Sequence, residues 1–284
     1  MTDDSAAPAE HPVPPSDSGV SPGEDDWDDH WATFGDPALG NPANDYRNRL
    51  ILHLLGTPDP GGTILDIGSG QGQLGILLQT NYPDARVVGI EYSSEGVRRA
   101  TLAARSAGLG ALFVQRDLLK PASDAPLLDD VPKASLAVCS EVLEHVDDPE
   151  VLLRNAAAYL RPDCRVVITV PGGPMSALDR YIGHRTHYTP ATLRSLLERS
   201  GFVVERTERA GFPFFNLYRL LIVARGRQLI EDVKSTTTAQ PSKLQTLITR
   251  FFDLVFHWNL DRSPFGWQIV GVARPSPTTE FGQA

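Results

Sequence analysis

The chain is 284 residues long, 41% hydrophobic and 21% charged, which excludes collagen-like and disulfide-scaffold classes and fits one large globular domain or two small ones. No apolar run reaches the roughly 18 residues of a membrane span and no basic-then-apolar leader opens the chain, so a cytoplasmic protein without a membrane span is expected. The net charge of −9 is concentrated: nine of the 35 acids lie in residues 1–30 without a Lys or Arg, leaving 26 acids against 26 bases and no overall basic excess for a nucleic-acid partner.

Residues 1–26 are rich in Pro, Ser, Ala, Asp and Glu and poor in large apolar side chains. Such a segment buries too little surface to offset its ordering entropy, and a disordered acidic tail is expected. Residues 27–284 then form one domain, with 27–62 as an N-terminal cap. Asn41 and Pro42 suit a helix start, Tyr46, Leu50, Leu54 and Leu55 share one face, and Gly56 is the stop. From Thr63 onward, short β-rich runs alternate with helical segments. Strands are expected at Thr63–Ile67, Arg86–Glu91, Leu112–Gln115, Ser135–Cys139 and Arg165–Val170, most of them nearly continuous apolar runs, as parallel strands covered on both faces require. Ser93 caps a helix that stops at Gly108, Asp148-Pro149 opens one that stops before Pro162, and Thr189-Pro190 opens one that Gly201 ends.

Strand-like Phe202–Arg206 and Trp267–Ala273 bring the total to seven. The alternation predicts a doubly wound α/β sheet. Residues 212–260, between the last two strands, are expected to form a helical insert with segments Phe214–Val233 and Ser242–Trp258. Leu244, Leu247, Ile248, Phe251, Phe252, Val255 and Trp258 repeat there at helical spacing. A lid packed on the core is the plain reading; a wall of an apolar acceptor pocket, a homodimer face and a membrane-surface contact are the sharper ones. Cys139 and Cys164 lie in or beside apolar runs, far from any zinc spacing, and read as buried, reduced thiols.

The main chemical signal is Ile64-Leu65-Asp66-Ile67-Gly68-Ser69-Gly70-Gln71-Gly72, where the first strand meets a helix. Glycines there let the backbone approach a ligand and take conformations closed to other residues, and the helix adds the positive end of its dipole. Gly70-Gln71-Gly72-Gln73-Leu74-Gly75 also matches the G-x-G-x-x-G pattern of dinucleotide sites, with Glu91 about 20 residues on. Asp66 decides between them: a pyrophosphate gains nothing from a carboxylate, whereas an aminoacyl-sulfonium ligand carries positive charge.

These residues resemble the class I S-adenosylmethionine-dependent methyltransferases over roughly Pro42 to Gly201, with the last strand returning near Gly266. The resemblance implies a Rossmann-like fold, S-adenosylmethionine as methyl donor and S-adenosylhomocysteine as product. It places Asp66, Gly68, Ser69, Gly70 and Gly72 around the methionine end of the donor. Glu91, followed by Tyr92, matches the acid that holds both ribose hydroxyls, an arrangement one carboxylate can satisfy. Asp117, followed by Leu118, matches the acid that accepts from the adenine amine. Tyr46 and Arg47, on the leading helix, are expected donor contacts.

Ser140-Glu141-Val142-Leu143-Glu144-His145-Val146 follows the fourth strand and resembles the corresponding motif of small-molecule methyltransferases, including the ubiquinone-pathway O-methyltransferases. That position faces the transferred methyl, so Glu141 and His145 are the candidate catalytic residues. An oxygen acceptor must lose a proton, and an imidazole suits that task because it ordinarily titrates near neutral pH; the other reading of His145 is a loop-orienting residue. The E-x-x-E-H run also resembles a metal-assisted subset, in which Glu141, Glu144, His145 and His184 (or His187) would hold a divalent ion. Arg180, Tyr181, His184 and His187, in the loop after the fifth strand, are candidate acceptor contacts. Methyl transfer to oxygen of a small molecule leads. Transfer to nitrogen or carbon or to a macromolecule, a nicotinamide-dependent oxidoreductase, and a catalytically silent donor-binding module stay open beside it.

Overall fold

The computed structural model describes residues 27–28, 41–120, 127–128, 131–235 and 243–277, so the expected acidic tail falls outside the described residues. Helix α1 (Pro42–Leu55) leads, its Asn41 cap accepting from the Ala43 amide at 3.0 Å. Then come β1 (Thr63–Ile67), α2 (Gln73–Asn81), β2 (Arg86–Glu91), α3 (Ser94–Ser106) and β3 (Leu112–Gln115). They are followed by β4 (Ala134–Ser140), a 3-10 turn at Leu143–His145, α4 (Pro149–Ala157), β5 (Leu160–Pro171), the short α5 (Ala177–Tyr181) and α6 (Pro190–Arg199). The chain closes with β6 (Phe202–Ala210), α7 (Phe214–Ser235), α8 (Lys243–Val255), a 3-10 turn at Phe256–Trp258 and β7 (Gln268–Pro275).

The seven strands form one sheet in the order β3-β2-β1-β4-β5-β7-β6. Strands β1 to β5 pair in parallel, while β7 slots between β5 and β6 antiparallel to both. All five residues of β1 are buried, as the central position of a sheet covered on both faces demands. Strands β4 and β7 overrun their expected limits by one or two residues, and β5 and β6 by more. β5 begins at Leu160 rather than Arg165 and runs through Pro162, which the pairing tolerates because the β4–β5 register shifts between Ala134 and Leu136. β6 continues past Arg206 to Ala210 because antiparallel β7 offers partners along its whole length.

Two apolar cores cover the faces of the sheet, and a third joins α1 to the insert. In the third, Tyr46 meets Phe215 and Phe256 at ring-centroid distances of 5.8 and 6.0 Å, and Phe252 meets Tyr218 at 5.0 Å. Burying each such large side chain stabilises the fold by about 1.5–3 kcal/mol. The helical insert is thereby anchored on α1 and beside the end of β6 and the start of β7, through Ala210 and Val270.

Candidate active site

The turn after β1 is built for close approach. The amides of Gly68 and Ser69 both donate to the Ile90 carbonyl at 2.9 Å, pinning the turn to the end of β2. Gly68 has φ +71°, and a Cβ there would lie 2.5 Å from Val142 of the loop after β4. Gly72 caps α2 in the left-handed region at φ +79°, where a Cβ would strike Ala100 and Phe113 at 2.7 Å. Gly72 therefore shapes the turn from behind, and the other glycines face the cleft.

A cleft of about 490 Å³ opens over the carboxyl ends of β1, β2 and β4, the place where doubly wound sheets bind ligands. It brings together Asp66, Gly68, Ser69, Gly70, Glu91, Tyr92, Asp117, Leu118, Arg47, Glu141 and His145 from the expected set. Asp66 is 2% exposed. Burial, reinforced by the charge of Glu91, pushes its carboxyl up to about 7. Its Oδ2 has no hydrogen-bond partner within the described residues, and neither has the Ser69 hydroxyl or the Gln71 side-chain nitrogen. Buried polar atoms left in this way are uncommon, and here they surround one cleft. Glu91 is held by the amides of Gly70 (2.7 Å) and Ser93 (2.9 Å). Asp117 accepts from the Leu119 amide at 2.9 Å and pairs with Lys120 at 3.1 Å.

Glu141 stands at φ +56°, the one non-glycine residue in the left-handed region among those described, a conformation that costs on the order of 1–3 kcal/mol. Its amide donates to the Thr169 carbonyl at 2.9 Å, and its carboxylate bridges Arg47 (3.0 Å) and the Gln268 amide (3.0 Å). Arg47 also reaches Gln268 and Asn44, at 3.3 and 2.8 Å. Helix α1, the loop after β4 and the start of β7 are thus tied together at one wall of the cleft.

Tyr46 departs from expectation. It does not line the cleft but packs in the third core, its hydroxyl donating to the Leu260 carbonyl and to Asp261, both at 3.4 Å. The reason is helical phase: Asn44, Arg47 and Asn48, spaced i, i+3, i+4, form the cleft-facing side of α1, and Tyr46 lies on the opposite side of the helix. Arg180, Tyr181, His184 and His187 do not line it either. The two histidines form a neighbouring cluster. His145 meets His184 edge-to-face at 4.6 Å, and His184 Nδ1 lies 3.2 Å from His187 Nε2. His187 in turn contacts the Gly173 carbonyl at 3.1 Å through Nδ1 and stands 3.8 Å from buried Asp179. Burial lowers His184 to about 4, so it is neutral at pH 7, and lowers His187 also. Burial alone would raise Asp179, but Arg219, at 2.8 Å, and Ser176 outweigh it and hold the carboxyl at about 2.

Glu144 is fully buried, neither carboxylate oxygen has a hydrogen-bond partner among the described residues, and burial together with the charge of Glu141 raises its carboxyl. One ligand atom each from Glu144, His145 and His184 fits within 4.8 Å. The fourth member expected for such a set, Glu141, is engaged by Arg47 and Gln268 instead.

Trp27, Gln71, Gln268 and Asn44 were not expected at the site. Gln71 lies inside the glycine turn but was not singled out there, and no motif marks the others: Trp27 meets His145 edge-to-face at 5.0 Å from 118 positions away and Gln268 arrives on the last strand.

A doubly wound sheet with one antiparallel strand inserted at its far side, carrying a glycine turn with Asp66, Glu91 and Asp117 around one cleft, defines a Rossmann-like S-adenosylmethionine-binding enzyme. Residues 43–207 match the model of a methyltransferase domain family, and the chain belongs to that family: it is an S-adenosylmethionine-dependent methyltransferase. The nicotinamide reading of Gly70 to Gly75 falls away with this. The chain is similar to a ubiquinone biosynthesis O-methyltransferase of Aeromonas salmonicida, 32% identical over 176 residues, covering 56% of this chain and 71% of that one. It is also similar to a trans-aconitate 2-methyltransferase of Azoarcus, 32% identical over 129 residues, 45% of this chain and 47% of the relative, so that match spans less than half of the relative's length. Its fold resembles Haemonchus contortus phosphoethanolamine N-methyltransferase 2, solved with S-adenosyl-L-methionine, at a TM-score of 0.54 and 17% identity over 88% of this chain and 56% of that one.

Proposed function

We propose that the enzyme methylates an oxygen atom of a small-molecule acceptor, with His145 taking the acceptor's proton. The observation that carries this reading is that His145 lines the same cleft as Asp66, Gly70 and Glu91. The 32% identity to an enzyme named as an O-methyltransferase supports the choice of oxygen. In the reaction the acceptor oxygen attacks the sulfonium methyl in line, an O–CH3 bond forms as the S–CH3 bond breaks, and S-adenosylhomocysteine leaves neutral at sulfur. Asp66 and Glu91 hold the donor's ammonium and ribose, Asp117 its adenine, and the glycine turn lets the backbone approach it; positioning of this kind supplies much of the rate. Glu141, both of whose oxygens are engaged, acts as a positioning residue that locks α1 and β7 to the cleft rather than as the base.

The test is release of S-adenosylhomocysteine with phenolic, aliphatic-alcohol, carboxylate and amine acceptors, followed by product identification. His145→Ala is expected to lower kcat by about 10²–10⁴-fold while leaving S-adenosylhomocysteine affinity unchanged. Methylation of amines alone, or a full rate in the variant, overturns the reading.

A divalent ion held by Glu144, His145 and His184 is a second reading, favoured by the buried carboxyl of Glu144, without a hydrogen-bond partner among the described residues, beside two imidazoles. When bound, such an ion would hold an acceptor hydroxyl and lower its pKa. Calorimetric titration with Mg²⁺ and Mn²⁺ of the wild type and of Glu144→Gln checks it independently of turnover. Binding that the variant loses supports the ion; no binding to the wild type removes it.

A further inference from the structure

Helix α8 is apolar on two sides. Phe252, Val255 and Phe256 point into the third core and are 2–5% exposed. Leu247, Phe251, Leu254 and Trp258, spaced four, three and four residues apart, form a second stripe that is 49–64% exposed. A helix that packs on a core needs only the first stripe. On α7, Leu217, Leu220 and Leu221 are likewise 43–48% exposed. The two helices are in contact, with Phe214 6.4 Å from Trp258 and Tyr218 5.0 Å from Phe252 by ring centroids. Scattered apolar residues on a surface are ordinary; a full helical stripe with a tryptophan at its end is not.

Charge says what covers it. Residues 212–260 carry Arg219, Arg225, Arg227, Lys234, Lys243 and Arg250 against Glu231, Asp232 and Asp253, a formal net of +3, so the remainder of a chain at −9 stands at −12. A second copy would set +3 against +3. The chain's own acidic segment, residues 1–26, has the opposite charge but offers only Met1, Val13 and Val20 as larger apolar side chains, too few to cover a stripe of Leu, Phe and Trp. An anionic lipid surface satisfies both halves of the pattern. Its acyl boundary takes Leu and Phe, its headgroup level takes Trp, its phosphates take exposed cations such as Arg250, and its charge repels the acidic remainder outward.

We propose that the exposed face of α7 and α8 is an interfacial docking surface for an anionic membrane, with the protein lying on the bilayer rather than spanning it. No helix among the described residues is long and apolar enough to cross a membrane, in keeping with a monotopic contact.

The experiment is flotation of the full chain with vesicles of phosphatidylglycerol and phosphatidylcholine, and with vesicles of phosphatidylcholine alone. The protein is expected to float with the first at least about tenfold more than with the second, and to be released as salt screens the charges. The triple substitution Phe251→Ser, Leu254→Ser, Trp258→Ser removes only exposed side chains. It should abolish flotation while leaving S-adenosylhomocysteine binding and the circular dichroism spectrum unchanged. Arg250→Glu should weaken it several-fold. Absence of flotation with the anionic vesicles overturns the proposal. So does a wild-type dimer in sedimentation that the triple substitution turns into a monomer, since a second copy would then be the partner. Because donor binding is read separately, failure here leaves the methyltransferase reading intact.

Discussion

Asp66 is where burial does the most chemical work. Its carboxyl sits at about 7 in the ligand-free protein because it is desolvated and faces Glu91, well above the ordinary aspartate value near 3.9. Between those two values the unfolded chain has lost the proton and the folded one keeps it. Ionising Asp66 therefore opposes folding, and its contribution to stability falls as pH rises from about 4 to about 7. A donor carrying an ammonium and a sulfonium reverses the preference by favouring the carboxylate. Donor affinity is then expected to weaken up to about tenfold per pH unit below 7 and to level off above it. Calorimetry in two buffers of different ionisation enthalpy would detect the proton released below pH 7. Asp66→Asn should bind weakly with a flat profile; an unchanged profile would remove Asp66 from the donor site. Gly68 is the steric counterpart. Gly68→Ala combines φ +71° with a Cβ 2.5 Å from Val142, and a loss of about 1–3 kcal/mol in urea unfolding is expected, together with weakened donor binding.

At the scale of elements, the site is held by long-range ties rather than by its motifs alone. Arg219 on α7 reaches across to Asp179 on α5 at 2.8 Å, and the pair is nearly or fully buried at 14% and 1% side-chain exposure. Removing one partner strands a buried charge. Arg219→Met is expected to cost about 3–5 kcal/mol, measured by urea unfolding. The Asp179–His187–His184 cluster should shift with it, which the imidazole NMR resonances would report. If the loss is under about 1 kcal/mol, the insert is not coupled to the loop after β5 by this pair. Glu141 is a second such tie. Its strained backbone is tolerated because Arg47 from α1 and Gln268 from β7 hold its carboxylate from two sides. Such strain persists where the surroundings over-determine a residue, which is a common property of active sites.

The whole molecule behaves as a scaffold completed by its ligand. Several buried polar atoms around the cleft, on Asp66, Ser69 and Gln71, lack partners within the described residues. A ligand that satisfies them binds the folded chain and not the unfolded one. S-adenosylhomocysteine at 100 times its Kd is expected to add about 2.7 kcal/mol of stability, visible as a rise in Tm of several degrees that NAD at the same concentration does not produce. Equal shifts by both ligands would contradict the assignment of the cleft. The charge asymmetry between the insert and the rest of the chain belongs to this scale too, because no single residue carries it.

Much of this was legible in the chain itself. The first three strands are bounded as their apolar runs suggest, the caps at Asn41, Ser93, Asp148 and Thr189 all hold their helices, and the glycine turn and its acids form one cleft. These features are local: hydrophobic period, capping chemistry and backbone freedom act over a few residues and so can be read in order along the chain. What only the tertiary structure decided is which distant groups share that cleft. The antiparallel entry of β7 brings Gln268 to Glu141, the rotation of α1 turns Arg47 in and Tyr46 out, and His184 and His187 stand beside the cleft, not in its lining. Those outcomes depend on contacts between separate segments, 127 positions apart for Gln268 and Glu141, whose geometry is set by packing of the assembled sheet and leaves no periodic mark on the sequence.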